Sequence, residues 1–414
     1  MAYHTRLLKS SVPTEDKTLA MQLSDRVQAI KPSPTIAVST RAAELRAAGQ
    51  DVIGLGAGEP DFDTPEHIKE AAKKALDDNF TRYTAVDGIA PLKEAIARKL
   101  KRDNELTYEP GQIVVSTGAK HSIYNLMQAS LNPGDEVLIP APYWVSYPDM
   151  AILAGATPVF VSAGIEAGFK ITPEQLNAAI TSKTRMLILN SPSNPTGVCY
   201  TRKEMLELGE VIKKHPQVLI CSDDIYEHIL WGPEPFCNIV TACPELYDQT
   251  VVINGLSKAY CMTGWRMGYA AGPVNLSAAM RKIQSQSTSN PTSISQIGAQ
   301  VALDGEHDFM KPMLKAFEER HDLVLNGLNK LTGVQCLEAQ GAFYAFPDMR
   351  EAIAGLNSVD NDIALAEHLL NEGGVAIVPG SAFGAPGYAR LSFATSTENL
   401  KEALSRMARV LGTD

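Results

Sequence analysis

At 414 residues the chain exceeds one ordinary domain, so two packed domains are expected. Hydrophobic residues at 45% and charged residues at 20% are the balance of a soluble globular protein. Thirty-seven basic against 47 acidic side chains leave a net charge of −10, spread without blocks, which speaks against nucleic acid as a partner. No apolar run approaches the roughly 20 residues that span a bilayer, so no membrane partner is expected either.

In chain order, the first 20 residues mix Arg6, Lys9 and Lys17 with Glu15 and Asp16 and lack an apolar core. They read as an N-terminal arm rather than a secretory signal. Helical spacing of apolar residues predicts helices over Pro65–Leu76 and Ile89–Asp103. Short β-branched runs follow at Gln112–Ser116, Glu136–Ile139, Thr157–Val161, Met186–Leu189, Val218–Cys221 and Thr250–Ile253, with helices such as Lys120–Leu131 and Lys203–Lys214 between them. Strands alternating with helices predict an α/β fold, a central mostly parallel sheet flanked by helices. A long helix over Phe309–Leu331 then leads into shorter strands and helices. The expected division is residues 1–64 as an arm and part of a small domain, 65–308 as the large domain, and 309–414 as a smaller α+β domain. The six cysteines form no CxxC pair and fit no metal or disulfide framework, which suits reduced thiols in the cytoplasm.

Chemistry gathers at the strand ends, where open α/β sheets build their sites. Lys258 follows the apolar strand ending at Ile253, a position where burial makes an amine nucleophilic. Arg266, in an otherwise apolar stretch, suits a phosphate ester. Asp223 directly follows a buried strand and needs a cation, such as a pyridinium nitrogen; a helix N-cap is the plainer alternative. Tyr226, three residues on, can reach a ring oxygen. Asn194 sits in a proline-bounded loop after another strand. Ser116-Thr-Gly-Ala-Lys-His opens a helix and presents Gly118 and Ala119 to a phosphate, without Walker spacing. Trp144 in Ala141-Pro-Tyr-Trp offers a stacking plane. Together these supply an amine, a phosphate anchor, a ring-nitrogen acid and a stacking surface for one cofactor.

Three of these segments carry a resemblance. Ser-Pro-Ser-Asn-Pro-Thr-Gly at 191–197, Ser-Asp-Asp-Ile-Tyr-Glu-His at 222–228 and Ser-Lys-Ala-Tyr-Cys-Met-Thr-Gly-Trp-Arg at 257–266 resemble the class I pyridoxal-phosphate (PLP) aminotransferases. Ala57-Gly-Glu-Pro-Asp-Phe-Asp-Thr-Pro, Ala141-Pro-Tyr-Trp-Val-Ser-Tyr-Pro and Arg390-Leu-Ser-Phe-Ala are similar to the subgroup Ib aspartate aminotransferases, a likeness running from about Leu23 to the C-terminus. The resemblance implies PLP fold type I and a homodimer with shared sites. It makes Lys258 the Schiff-base lysine and proton shuttle, and Asp223 the partner of the ring nitrogen. Asn194 and Tyr226 contact the ring oxygen, and Trp144 stacks on the ring. Arg266, Gly118, Ala119 and Tyr83 of the partner subunit hold the phosphate, with Ser257 a weaker candidate because Gly255 stands where distant members carry serine. Arg390 grips the substrate α-carboxylate, with Gly58 lining the same pocket.

For the distal carboxylate the resemblance points to Lys120, since no basic residue occurs between Lys282 and Lys311 where other aspartate aminotransferases carry an arginine. Thr35 matches a position linked in close relatives to prephenate. His121 departs from the usual glutamine. Aspartate and 2-oxoglutarate are the expected substrates, with prephenate transamination or a PLP lyase or synthase as alternatives. Gly54-Leu-Gly-Ala-Gly suggests a dinucleotide site only weakly, because Glu59-Pro60 stands where a helix must begin. A non-catalytic regulator would need an attached DNA-binding module, which the N-terminus is too short to supply.

Overall fold

A computed structural model describes residues 23–32, 34–357 and 359–413. The N-terminal arm expected over the first 20 residues lies outside that range. A seven-stranded sheet forms the centre, in the spatial order Ile113–Ser116, Gly268–Ala271, Thr250–Gly255, Leu219–Asp223, Thr184–Asn190, Glu136–Ala141, Thr157–Ser162. All neighbours run parallel except Gly268–Ala271, which is antiparallel to both strands beside it. The expected α/β class, with its mostly parallel sheet, is what the chain adopts.

Alternation along each strand fills two cores. Leu138, Leu187, Ile220 and Val252 join the cluster on one face. Val137, Ile139, Met186, Ile188, Cys221 and Val251 join the cluster on the other. A strand apolar on both faces needs helices on both sides, which is why these runs read as continuously hydrophobic.

The predicted strands are present, but several extend further than their apolar runs. Thr184–Asn190 and Leu219–Asp223 carry on through polar residues, because Asn190 and Asp223 pair in register at the sheet's carboxyl edge. The strand Gly268–Ala271 escapes the periodicity reading, since Gly-Tyr-Ala-Ala lacks the β-branched residues that mark a strand. The predicted helices are found at Glu66–Asp77, Ala90–Asn104, Ala119–Ser130, Arg202–Ile212 and Met310–Leu328, with ends differing by one to three residues.

A second, antiparallel sheet orders Val378–Pro379, Ala389–Ser392 and Tyr344–Ala345. The early strand Ile53–Gly54 pairs in parallel with Val375–Ala376, so the N-terminal segment packs with C-terminal residues. No helix follows Gly54 until Glu66, which removes the dinucleotide-site geometry. Among the described residues no helix is long and apolar enough to cross a membrane.

The antiparallel strand positions the site. Gly268 begins it directly beneath the first turn of the helix Ala119–Ser130, and a Cβ there would lie 2.2 Å from the Ala119 nitrogen. Only glycine lets helix and sheet approach this closely. Gly268→Ala is expected to cost about 1–3 kcal/mol as the helix is forced outward. Urea denaturation measures it, and an unchanged midpoint would mean that the helix start gives way freely.

Candidate active site

The carboxyl edge of the sheet and the smaller antiparallel sheet enclose a cavity of about 560 Å³. Its wall includes Thr35, Gly58, Ala119, Lys120, Trp144, Asn194, Asp223, Tyr226, Ser257, Lys258, Arg266 and Arg390. Residues singled out from segments hundreds of positions apart thus converge on one space. Two do not line it. Gly118 lies buried just behind, and Tyr83 is 91% exposed and outside the cavity of its own chain.

Lys258 sits in the loop after strand Thr250–Gly255 and donates to the Gly58 carbonyl. Burial, reinforced by Arg390 and Arg266, lowers its pKa to about 8, although Glu59 and Asp223 pull the other way. An amine with that pKa has a substantial neutral, nucleophilic fraction near neutrality. Its ammonium also lies over the rings of Tyr226 and Phe343, at 5.7 and 5.8 Å.

Asp223 ends its strand and is buried. Its neighbour Asp224 turns to the other side, accepting from Ser222 at 2.7 Å and from Asn238. Asp223 is therefore the acid of this pair that faces the cavity. It forms no ion pair among the described residues. Burial raises its pKa to about 6, opposed by the Tyr147 hydroxyl, the Ile225 amide and the charge of Lys258.

Arg390 lies in the middle strand of the small sheet, only 2% exposed. Its guanidinium is sandwiched between the rings of Tyr344 and Phe383, at 4.6 and 5.0 Å. It donates to Asn194 Oδ1 at 2.9 Å and to the Gly56 carbonyl at 2.6 Å, while its buried Nε has no partner among the described residues. A buried guanidinium that faces no carboxylate among the described residues can accept an anion.

Arg266 has a left-handed backbone and donates to the Thr263 carbonyl at 2.9 Å. Its guanidinium packs against Gly118, where a Cβ would sit 2.4 Å from Nη2. Gly118 is the N-cap of the helix Ala119–Ser130, so helix amides and an unneutralised guanidinium meet at one point. His121 accepts the Thr117 amide at Nδ1, 3.2 Å away, and so steadies that turn. Lys120 stands exposed at the cavity rim with its ammonium 4.9 Å from the Trp144 ring centre. Partial desolvation and Arg266 lower its pKa. Thr35 Oγ1 is buried in the wall without a partner among the described residues.

Several participants escaped sequence reasoning. Tyr344 donates to or accepts from Tyr226 at 2.7 Å, oxygen to oxygen. Tyr147 bonds Asp223 at 2.6 Å, and Asn190 anchors the Asn194 amide at 2.9 Å. Tyr147 and Asn190 stand inside the quoted motifs or beside them, but only packing shows where they point.

The donor set suits a phosphorylated pyridine. There is an amine for covalent attachment, a buried acid without a cation, a cradle behind Gly118 that any side chain would fill, and a separate buried guanidinium. An amine and two guanidinium groups around one cavity are the groups an α/β enzyme acting on amines of anionic compounds needs. The chain belongs to the class I and II aminotransferase family, whose model matches residues 50–407. It is similar to the aspartate/prephenate aminotransferase of Nitrosomonas europaea, at 56% identity over 94% of this chain and 100% of the relative. The aspartate aminotransferase of Geobacillus stearothermophilus is 51% identical over 94% and 99%. Among solved structures, the aspartate aminotransferase of Rhizobium meliloti superposes with a TM-score of 0.92 at 46% identity, covering 95% of this chain and 99% of that one. The Thermus thermophilus aspartate aminotransferase with maleate gives 0.89 at 44%, covering 94% and 100%.

The raised pKa of Asp223 couples its protonation to folding. Its folded pKa of about 6 lies above the ordinary 3.8, so between those values the folded state holds the extra proton. Stability from this group is therefore lost as pH rises from about 4 to 6. Asp223→Asn is expected to be more stable than the native chain at pH 7.5 by up to about 3 kcal/mol, with the gap closing toward pH 4. Chemical denaturation across that range checks it, and a gap independent of pH would remove Asp223 as its source.

Proposed function

We propose that the chain is a PLP-dependent aspartate aminotransferase, passing the amino group between aspartate and 2-oxoglutarate in ping-pong order and forming oxaloacetate and glutamate. The observation that carries this reading is the meeting of Lys258, Asp223 and Arg390 in one cavity. The names of the relatives support it, as does the maleate, a dicarboxylate, in the Thermus thermophilus structure.

When bound, PLP supplies an electron sink that acidifies the substrate Cα–H. Lys258 would hold the cofactor covalently, and its amine would remove and return the substrate Cα proton. Asp223 would hold a negative charge against the ring nitrogen. Asn194 and Tyr226 would serve the ring oxygen, and Trp144 would cover the ring. Arg266, Ser257, the amides at Gly118 and Ala119, and Tyr83 from a second copy would hold the phosphate. Tyr83's high exposure outside its own cavity supports a homodimer with shared sites. Arg390 grips the α-carboxylate beside Gly58, and Lys120 the distal one.

Residues 65–308 form the cofactor platform in this reading, with 1–64 and 309–414 contributing the smaller domain that carries Arg390. Six unpaired cysteines support a cytoplasmic location. A second reading, glutamate or aspartate donating to prephenate, is favoured by the Thr35 hydroxyl, buried in the cavity wall with no partner among the described residues, and by the relatives named aspartate/prephenate aminotransferase.

Lys258→Ala is expected to abolish turnover and to remove the borohydride-reducible link to PLP; a variant that keeps both would overturn the assignment. Substrate class is read from kcat/KM. Lys120→Ala should lower aspartate and glutamate efficiency by roughly tenfold to a thousandfold, about 1.5–4 kcal/mol, with alanine and aromatic amino acids affected far less. Arg390→Leu should depress every amino acid, by about 2–5 kcal/mol. Equal losses for both classes in the lysine variant would move Lys120 from substrate to cofactor.

A further inference from the structure

The carboxylate of Asp223 is served by one side chain among the described residues. Tyr147, 2% exposed on the helix Ser146–Leu153, donates its hydroxyl to Oδ2 at 2.6 Å. The other oxygen, Oδ1, receives only the Ile225 amide at 3.4 Å. One oxygen is thus firmly held while the other remains weakly engaged. The same phenol ring stands edge-on to Trp144, with centroids 5.2 Å apart and planes at 83°. One helical turn therefore fixes both the stacking surface and the acid.

We propose that Tyr147 is a positioning residue, whose hydroxyl orients Asp223 and keeps it ionised so that its freer oxygen can meet the cofactor's ring nitrogen. This rests on the reading of the cavity as a PLP site. Burial leaves the phenol far too weak an acid to release its proton, so Tyr147 acts as the donor. Asp223 also faces Lys258 from the loop after the neighbouring strand, and Cys221 and Tyr226 from its own segment. Of these, Lys258 alone brings a positive charge, and its amine is committed to the cofactor when PLP is bound. The Tyr147 hydroxyl then becomes the main side-chain influence favouring the carboxylate. A buried phenol of purely structural purpose also needs an acceptor, so the test must separate ionisation from packing.

The experiment measures PLP affinity of the resolved full-length protein from pH 5 to 9, together with kcat and KM for aspartate. It compares the native chain with Tyr147→Phe and with Tyr247→Phe, which deletes a remote hydrogen bond to the Thr107 carbonyl. Tyr147→Phe should weaken PLP by about tenfold near pH 6 and by less at pH 8, since a hydrogen bond to a charged group is lost and the acid protonates more readily. Its kcat should fall while KM changes little. Tyr247→Phe should alter neither.

Native-like affinity and kcat in Tyr147→Phe, or a loss of the same size at every pH, would overturn the proposal. Should that variant fail to fold, 3-fluorotyrosine at position 147 keeps the shape and strengthens the donor. The pH below which affinity declines should then move downward, and an unmoved profile would overturn the proposal equally. Failure of the native chain to bind PLP would instead sink the cofactor reading itself.

Discussion

Asp223 is a carboxylate carried into the protein interior without an ion-pair partner among the described residues, and the site is arranged around that cost. A buried unpaired charge is expensive, and its pKa rises to about 6 in response. The same holds in mirror image for Arg390, a guanidinium packed between two aromatic rings with one nitrogen unpartnered. Lys258 between them is weakened as a base by burial and by that guanidinium. An opposite charge placed beside Asp223 or Arg390 would offset the cost of burying it.

The sheet topology makes this arrangement possible. Parallel strands put their carboxyl ends on one edge, so Asn190 and Asp223 end side by side and the loop carrying Lys258 rises from the next strand. The single antiparallel strand, Gly268–Ala271, lies between that strand and Ile113–Ser116. Its glycine lets the helix at Ala119 settle against the sheet, which brings Gly118 to the Arg266 guanidinium.

Behind the cavity is a second buried polar cluster with the opposite character. Lys99 pairs with Glu227, Asn104 donates to Glu227 at 2.6 Å, and Asn254 donates to it at 2.7 Å. Here the charges are matched within the chain and need no ligand. Glu227 follows Tyr226 and Asn254 precedes the Lys258 loop, so this satisfied cluster ties together the two segments that present those residues. A rigid, paired network supports an unpaired, responsive one.

The sequence by itself determined the parallel sheet, because β-branched runs between helices have few other ways to bury both faces. It also pointed to the motifs that bring an amine, an acid and a guanidinium to one cavity, since Lys258, Asp223 and Arg266 stand in locally recognisable segments. It singled out Asp223 by position and resemblance, but did not show where the side chains of Asp223 and Asp224 point. Adjacent residues of a strand point to opposite sides, and only the packing of helices on each face decides which side is the cavity. Tertiary structure likewise decided that Tyr147 serves Asp223 and that Tyr344 serves Tyr226. Arg390 reaches the Gly56 carbonyl across 334 positions for the same reason. The Gly268–Ala271 strand is set by its place between two other strands rather than by its own weak propensity. Local patterns fix how a segment buries its apolar surface, whereas a hydrogen bond between distant side chains exists only once the whole chain has closed around it.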